Sequence, residues 1–125
     1  MNIVDTSGWL AFFNGESNAD IFSEPIGNTD SLIVPTICIY EVFKFVKLKN
    51  GESEAVKIIA HMKLGNVLPV TENIALEAAN ISIKHKLAVT DSLIYAGAQI
   101  KKAVVWTQDI DFEGLPGVNY YPKGG

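Results

Sequence analysis

Short apolar runs that alternate with helical stretches predict an α/β fold with a small, mainly parallel sheet flanked by helices. Asn2–Val4, Leu32–Val34 and Ala103–Trp106 are brief, continuous apolar pieces, as expected of parallel strands covered on both faces. Between them lie longer segments in which apolar residues recur every three to four positions or so, the helical period. No repeat, low-complexity tract or internal linker interrupts this alternation. A chain of this length is therefore expected to form one domain over residues 1–122, with a flexible tail at 123–125.

Taken in order, Asn2–Val4 is the first strand, closed by Asp5-Thr6-Ser7. Ser7–Asn14 carries Trp9, Phe12 and Phe13 at helical spacing and stops at Asn14-Gly15. Asn18–Glu24 reads as a second short helix, with Pro25 and Gly27 beyond it. After the strand Leu32–Val34, Pro35 opens a long helix that runs through Lys49 and ends at Asn50-Gly51. Its surface is apolar almost all round, broken by Glu41, Lys44, Lys47 and Lys49. Glu52–Leu64 places Ala55, Ile58, Ile59 and Met62 on one stripe before Gly65 stops it. Val67–Val70 is a third strand, which the internal Pro69 assigns to a sheet edge. Thr71–Lys84 is a helix rich in alanine, isoleucine and leucine. The apolar piece Leu87–Val89 then leads to Asp91, which opens a helix over Ser92–Lys102. Ala103–Trp106 is a buried strand, and Val118–Tyr120 adds a last short one.

Composition excludes several classes. A 48% hydrophobic content and a mean hydropathy of +0.20 rule out a disordered chain. No apolar run approaches the ~18–20 residues of a membrane span, and no charged start precedes an apolar leader core. A soluble cytoplasmic protein is the expectation. The single cysteine, Cys38, cannot form an internal disulfide and lies among apolar neighbours as a core residue. A net charge of −4 argues against a general nucleic-acid coat protein. All ten positive charges are lysines, so any phosphate contact would be a point charge rather than a bidentate fork.

The carboxylates carry the candidate chemistry. Ligands of open α/β sheets bind beyond the carboxyl ends of strands, where Asp5 and the pair Asp109 and Asp111 stand. Asp5 also suits a helix cap, although Thr6 or Ser7 would serve; Asp91 has the same ambiguity, with Thr90 as the alternative. Glu41 has Ile37, Cys38, Phe45 and Leu48 as helical neighbours and only Lys44 as a possible partner. It forms either a surface pair with Lys44 or a ligand to a cation that repays its burial. Asp109 and Asp111 share a face only if the chain stays extended, so one of the two is expected in the site directly. Asp20 and Asp30 match no pattern and are assigned to the surface.

Gathered without compensation, such carboxylates would raise one another's pKa. Oxygen-only ligands suit Mg²⁺ or Mn²⁺, and the absence of a Cys/His cluster argues against zinc. His61 and His85 fall in or at the end of helices, away from strand ends, and are expected to face solvent. No glycine-rich phosphate loop is present.

Three stretches, VDTSGWLAFF (residues 4–13), VTDSLIYAGA (89–98) and VVWTQDIDFEGLPGV (104–118), occur in this order around Glu41 in TICIYEVFKFVK (36–47). Together they resemble the PIN domain family, and in size and wording most of all the VapC-type ribonuclease toxins of toxin–antitoxin pairs. The resemblance implies a PIN-like three-layer sandwich and a metal-dependent endoribonuclease. It implies one or two Mg²⁺ or Mn²⁺ ions held by Asp5, Glu41, Asp91 and Asp109, with hydroxyl support from Thr107 and Thr6. It favours Asp109 over Asp111 as the direct ligand, leaving Asp111 to cap or to support. Lys44 and Lys47 become candidates for guiding the RNA backbone. A small VapB-like antitoxin and a homodimer are the implied partners.

For the antitoxin, the density of Trp9, Phe12 and Phe13 and of Phe43 and Phe45 predicts an apolar groove between their two helices, with Phe45 the one assigned to the core. For the dimer, Ile58, Ile59, Met62 and Leu64 on one helix and Ile94, Tyr95 and Ile100 on another are the expected apolar surface. Two other classes compete. One is a PIN scaffold that has lost catalysis, against which the intact acidic set argues. The other is a receiver-like signalling domain, which wants paired acids after the first strand, where only Asp5 stands.

Overall fold

Five strands build one sheet: β1 (Asn2–Val4), β2 (Leu32–Pro35), β3 (Asn66–Leu68), β4 (Val104–Thr107) and β5 (Val118–Tyr120). The structure is a computed structural model and describes residues 1–124. The strands lie in the order β3–β2–β1–β4–β5, and every neighbouring pair is parallel. Six helices among the described residues cover the two faces: α1 (Thr6–Phe13), α2 (Ala19–Gly27), α3 (Thr36–Asn50), α4 (Glu52–Met62), α5 (Glu72–His85) and α6 (Val89–Lys101). The expected α/β sandwich is thus observed, with a wholly parallel sheet.

Strand β2 is buried at all four positions, and Ile3, Val4 and Val105 are fully enclosed, as both-face coverage requires. Trp9, Phe22, Phe112 and Met62 fill the layers between sheet and helices. One close approach depends on a glycine. A Cβ on Gly8 would lie 2.6 Å from Val4 Cγ1 and 2.9 Å from the Phe22 ring, so α1 can pack this tightly only without a side chain there.

The chain builds β1, β2 and β3 outward in one direction, then returns to place β4 and β5 on the other side of β1. The junction of β1 and β4 is therefore the topological switch point, where a crevice opens beyond the strand ends. The final crossover from β4 to β5 has no α-helix. It is made by a 3₁₀ turn at Ile110–Phe112 and by Gly114 and Gly117, whose positive φ values of 84° and 75° shorten the return.

Several element boundaries differ from expectation for local reasons. Helix α2 continues through Pro25 to Gly27, because burying Pro25 with Phe22 and Ile26 outweighs the lost backbone donor. Strand β3 is an edge strand as expected, but it ends before Pro69 rather than containing it. Helix α6 begins at Val89 and absorbs part of the apolar piece 87–89, so Asp91 lies inside its first turn instead of capping it. A carboxylate there meets the positive end of the helix dipole. A 3₁₀ turn at Thr29–Ser31 precedes β2. Of the expected tail, Lys123 and Gly124 follow β5 without regular structure, and residue 125 lies outside the described residues.

Candidate metal centre

Asp5 leaves β1 and becomes the N-cap of α1, in extended backbone with φ −73° and ψ 175°. Its Oδ1 accepts the Gly8 N–H at 2.9 Å and the Ser7 hydroxyl at 2.8 Å. Its Oδ2 accepts the Thr107 hydroxyl at 2.6 Å. Thr107 ends β4 and is fully buried, and its Oγ1 also accepts the Asp109 N–H at 2.9 Å. One hydroxyl thus ties the loop after β4 to the carboxylate after β1. Ser7 makes a second tie, because its Oγ accepts the Gln108 N–H at 3.2 Å. Asp5 is thus the helix cap in preference to Thr6 or Ser7, and capping through Oδ1 leaves a lone pair on Oδ2 beyond the one that accepts from Thr107.

Glu41 reaches the same region from α3. It is half-buried, and the Thr6 hydroxyl donates to its Oε1 at 2.6 Å. The alternative Glu41–Lys44 pair does not form: the Lys44 ammonium lies over the Tyr40 ring, 5.9 Å from its centroid. Lys47 instead pairs with Glu52 at 3.4 Å on an exposed surface.

Asp91 projects from the first turn of α6, and Asp109 and Asp111 from the loop after β4. The three offer carboxylate oxygens that all lie within 4.8 Å of one another. The 3₁₀ turn accounts for this proximity. Asp109 caps it, its Oδ1 accepting the Asp111 N–H at 2.9 Å. The turn folds both aspartates toward Asp91 although the chain does not stay extended, so two of them reach the site where one was expected. The capping role expected of Asp111 belongs to Asp109.

The electrostatics register this crowding. Burial pushes the Asp5 carboxyl up from 3.8 to about 6, against hydrogen bonds from Thr107, Gly8 and Ser7, with a further push from the Asp109 charge. Asp91 rises from 3.8 to about 7, by burial first and then by the charges of Asp109, Asp5, Asp111 and Glu41. Neither set of causes includes a lysine. Five mutually repelling carboxylates with oxygen donors only are what a hard divalent ion resolves, so the residues present fit Mg²⁺ or Mn²⁺. Cys38 lies fully buried beneath them, its thiol 3.9 Å from the Val4 carbonyl, and burial pushes its pKa far up.

The histidines stand elsewhere. His61 is exposed and meets Phe12 and Phe13 edge-on, while His85 is half-buried against Tyr95 rather than facing solvent. Of the aromatics expected to line a groove between α1 and α3, Trp9 is fully buried and cannot line one, while Phe12, Phe13 and Phe43 are half-buried. Phe45, assigned to the core, is 40% exposed. An apolar hollow of about 590 Å³ runs along α3 itself, lined by Ile39, Tyr40, Phe43, Lys44, Lys47 and Leu48. The surface expected for a dimer is also largely internal: Ile58, Met62, Ile94 and Tyr95 are buried.

Sequence reasoning missed Ser7 as a brace for Asp5, and it missed the buried pair Asn18 and Gln108. Ser7 enters the sequence reading only as an alternative helix cap, whereas Thr6 beside it enters also as hydroxyl support. Nothing local marks Asn18, whose partner is 90 positions away.

Fold and site together define a parallel α/β domain with an oxygen-only acidic pocket at its switch point. The PIN domain family model matches residues 3–118. The chain belongs to the PIN domain family. Among solved structures, it is similar to a toxin–antitoxin complex from Klebsiella pneumoniae at 23% identity, covering 98% of this chain and 99% of that one, with a TM-score of 0.84. VapC20 of Mycobacterium tuberculosis, a sarcin–ricin loop cleaving toxin, is 18% identical over 98% of this chain and 100% of its own, with a TM-score of 0.79. The DNA-bound VapBC of Salmonella typhimurium is 17% identical over 98% of both chains, with a TM-score of 0.75. The comparison with curated proteins returned no match.

Proposed function

We propose that this chain is a metal-dependent endoribonuclease and the toxin of a toxin–antitoxin pair. The observation that carries the reading is the convergence of Asp91, Asp109 and Asp111 within 4.8 Å, beside Asp5, at the switch point of a PIN fold. Asp91, Asp109 and Asp111 would hold one or two Mg²⁺ or Mn²⁺ ions, with Asp5 and Glu41 completing the set. A bound ion of this kind supplies an acidified water and neutralises charge developing on the phosphate. The chain's own part is to hold the acids in place. Thr107 and Ser7 fix both oxygens of Asp5, Thr6 orients Glu41, and Asp109 holds its turn closed on the Asp111 amide. Lys44, on the helix that carries Glu41, is assigned to the RNA backbone; Lys47 shares that face but is partly engaged by Glu52.

Under this reading the partners are a small VapB-like antitoxin and a second copy of the chain. An antitoxin helix would lie along the apolar hollow of α3, the geometry of helix-in-groove recognition. No described helix is long and apolar enough to cross a membrane, and a nuclease acting on cellular RNA works in the cytoplasm.

Digestion of a total RNA pool with Mn²⁺ or with EDTA, followed by mapping of the new ends, tests the proposal. Cleavage should require the metal and leave 5′-phosphate and 3′-hydroxyl ends. Products ending in 2′,3′-cyclic phosphate would overturn it, since they require attack by the RNA's own 2′-hydroxyl.

A further inference from the structure

A cavity of about 370 Å³ adjoins the carboxylates, lined by Ser7, Gln108, Asp109, Ile110, Tyr120 and Lys123. Its volume falls in the ~300–1,000 Å³ range of small-molecule sites. We propose that this cavity receives a nucleotide of the RNA that flanks the scissile phosphate, with Tyr120 and Ile110 holding its base and Lys123 its phosphate; the inference rests on the ribonuclease reading above.

The cavity's lining is complementary to such a group. Ile110 is 68% exposed immediately beside Asp109, where no core asks for an apolar side chain. Tyr120 offers the aromatic face on which any base can stack. Lys123 is the one cation among the six lining residues. A flat apolar body joined to an anion matches this set, and a nucleotide is such a body.

The wall that carries Tyr120 and Lys123 is also held in place. The Asn18 amide, only 9% exposed, donates to Gln108 Oε1 at 3.2 Å, to the Pro122 carbonyl at 3.0 Å and, more weakly, to that of Tyr121 at 3.4 Å. Gln108 in turn donates to Glu16 Oε1 at 3.2 Å. The Tyr121 N–H donates to the Thr107 carbonyl at 2.9 Å, so the end of β5 is fastened to the same residue that braces Asp5. A buried asparagine and glutamine thereby set the segment carrying Lys123 against the acidic centre. Burying two amides is costly unless they bond, and here they bond to each other, to Glu16 and to the Tyr121 and Pro122 carbonyls.

Steady-state cleavage and end mapping with Mn²⁺, for wild type and for Tyr120→Phe, Tyr120→Leu and Lys123→Gln, test the assignment. Tyr120→Phe should keep wild-type KM and base preference beside the cut. Tyr120→Leu should raise KM by about tenfold, the loss of one stacked base, and flatten that preference while kcat changes little. Lys123→Gln, an exposed substitution with no packing role, should raise KM and weaken its salt dependence. Unchanged KM and preference in folded Tyr120→Leu and Lys123→Gln would overturn the proposal. If wild type cuts no RNA, the ribonuclease reading fails on its own. The cavity is then judged by fluorescence anisotropy of a labelled random hexaribonucleotide with Mn²⁺, where weaker binding by Tyr120→Leu sustains it and equal binding overturns it.

Discussion

Acidifying the metal-free protein from about pH 7.5 to about pH 5 should stabilise it, the reverse of the usual behaviour of salt-bridged acids. Asp5 ionises near 3.8 in the unfolded chain but near 6 in the fold, and Asp91 rises from 3.8 to about 7. A raised carboxyl binds a proton on folding. Its contribution is fully present below the unfolded value and is lost as pH rises through the folded one. Each tenfold change in acidity is worth ~1.4 kcal/mol, so Asp5, at 2% exposure, accounts for ~3 kcal/mol across the whole window. By pH ~5 about half of that is recovered. Asp91 is only half-buried, so solvent screening reduces its share to ~1 kcal/mol. The two are coupled through the same charges and do not simply add. A gain of ~2 kcal/mol remains, or a melting temperature higher by roughly 6–10 °C for a domain of this size.

Circular dichroism melts in EDTA at the two pH values give the answer. Saturating Mn²⁺ should abolish the difference, because a bound cation holds the acids ionised in the fold. Asp5→Asn should remove the Asp5 share and leave that of Asp91. A melting temperature that is flat or falls on acidification in EDTA would refute the picture of uncompensated, crowded carboxylates.

Asp91→Asn keeps the shape but removes a charge that a divalent ion needs, so cleavage should fall by orders of magnitude while the Mn²⁺-induced rise in melting temperature shrinks; equal rises in wild type and variant would place the metal elsewhere. Gly8→Ala should destabilise by ~1–3 kcal/mol in chemical denaturation, because the new Cβ meets Val4 and Phe22 at 2.6 and 2.9 Å. For assembly, the exposed apolar surface to watch is Leu76 and Ile83 on α5 with Val89 on α6, at 61%, 81% and 74% exposure. Ile83→Glu should convert a dimer to a monomer in sedimentation, and a wild type that stays monomeric at all concentrations would exclude the dimer.

Sheet and helices were legible because the three central strands, β1, β2 and β4, are short, largely buried runs, and buried parallel strands announce themselves by continuous apolarity; the edge strands β3 and β5 are mostly exposed or half-buried. Asp5, Asp91 and Asp109 stood out by position, because they stand at strand ends and helix starts, where ligands of open α/β sheets bind, although a capping duty explains each one taken singly. The relation of Asp109 to Asp111 was not legible. It depends on a 3₁₀ turn whose capping bond, Asp109 Oδ1 to the Asp111 amide, is a choice between local conformations of similar energy. Surfaces were the least legible. Trp9 and Phe45 are both aromatic residues on helices, yet one is fully enclosed and the other 40% exposed. Periodicity assigns faces to a helix, but which face meets the sheet is decided by neighbours such as α4, whose His61 packs on Phe12 and Phe13. The Asn18–Gln108 bond joins positions 90 apart and leaves no trace in either local sequence.

Under the proposed function, the same charge crowding bears on how the nuclease would be silenced. Among the described residues, none of the carboxylates around Asp91 forms an ion pair with a lysine. The centre therefore attracts whichever cation reaches it first, and a basic side chain of an antitoxin competes with the divalent ion for the same oxygens. Linkage then requires reciprocity: if the partner's basic residue takes the metal's place, Mn²⁺ must weaken the partner as much as the partner weakens Mn²⁺. Copurification with a candidate VapB-like antitoxin, followed by calorimetric titration at rising Mn²⁺, measures the coupling. The partner's Kd should climb in proportion to Mn²⁺ once the site saturates. It should lose that dependence in Asp91→Asn, while Leu48→Glu, in the α3 hollow, should weaken binding at every Mn²⁺ concentration. A Kd indifferent to Mn²⁺ would mean that the partner closes the entrance without touching the acids.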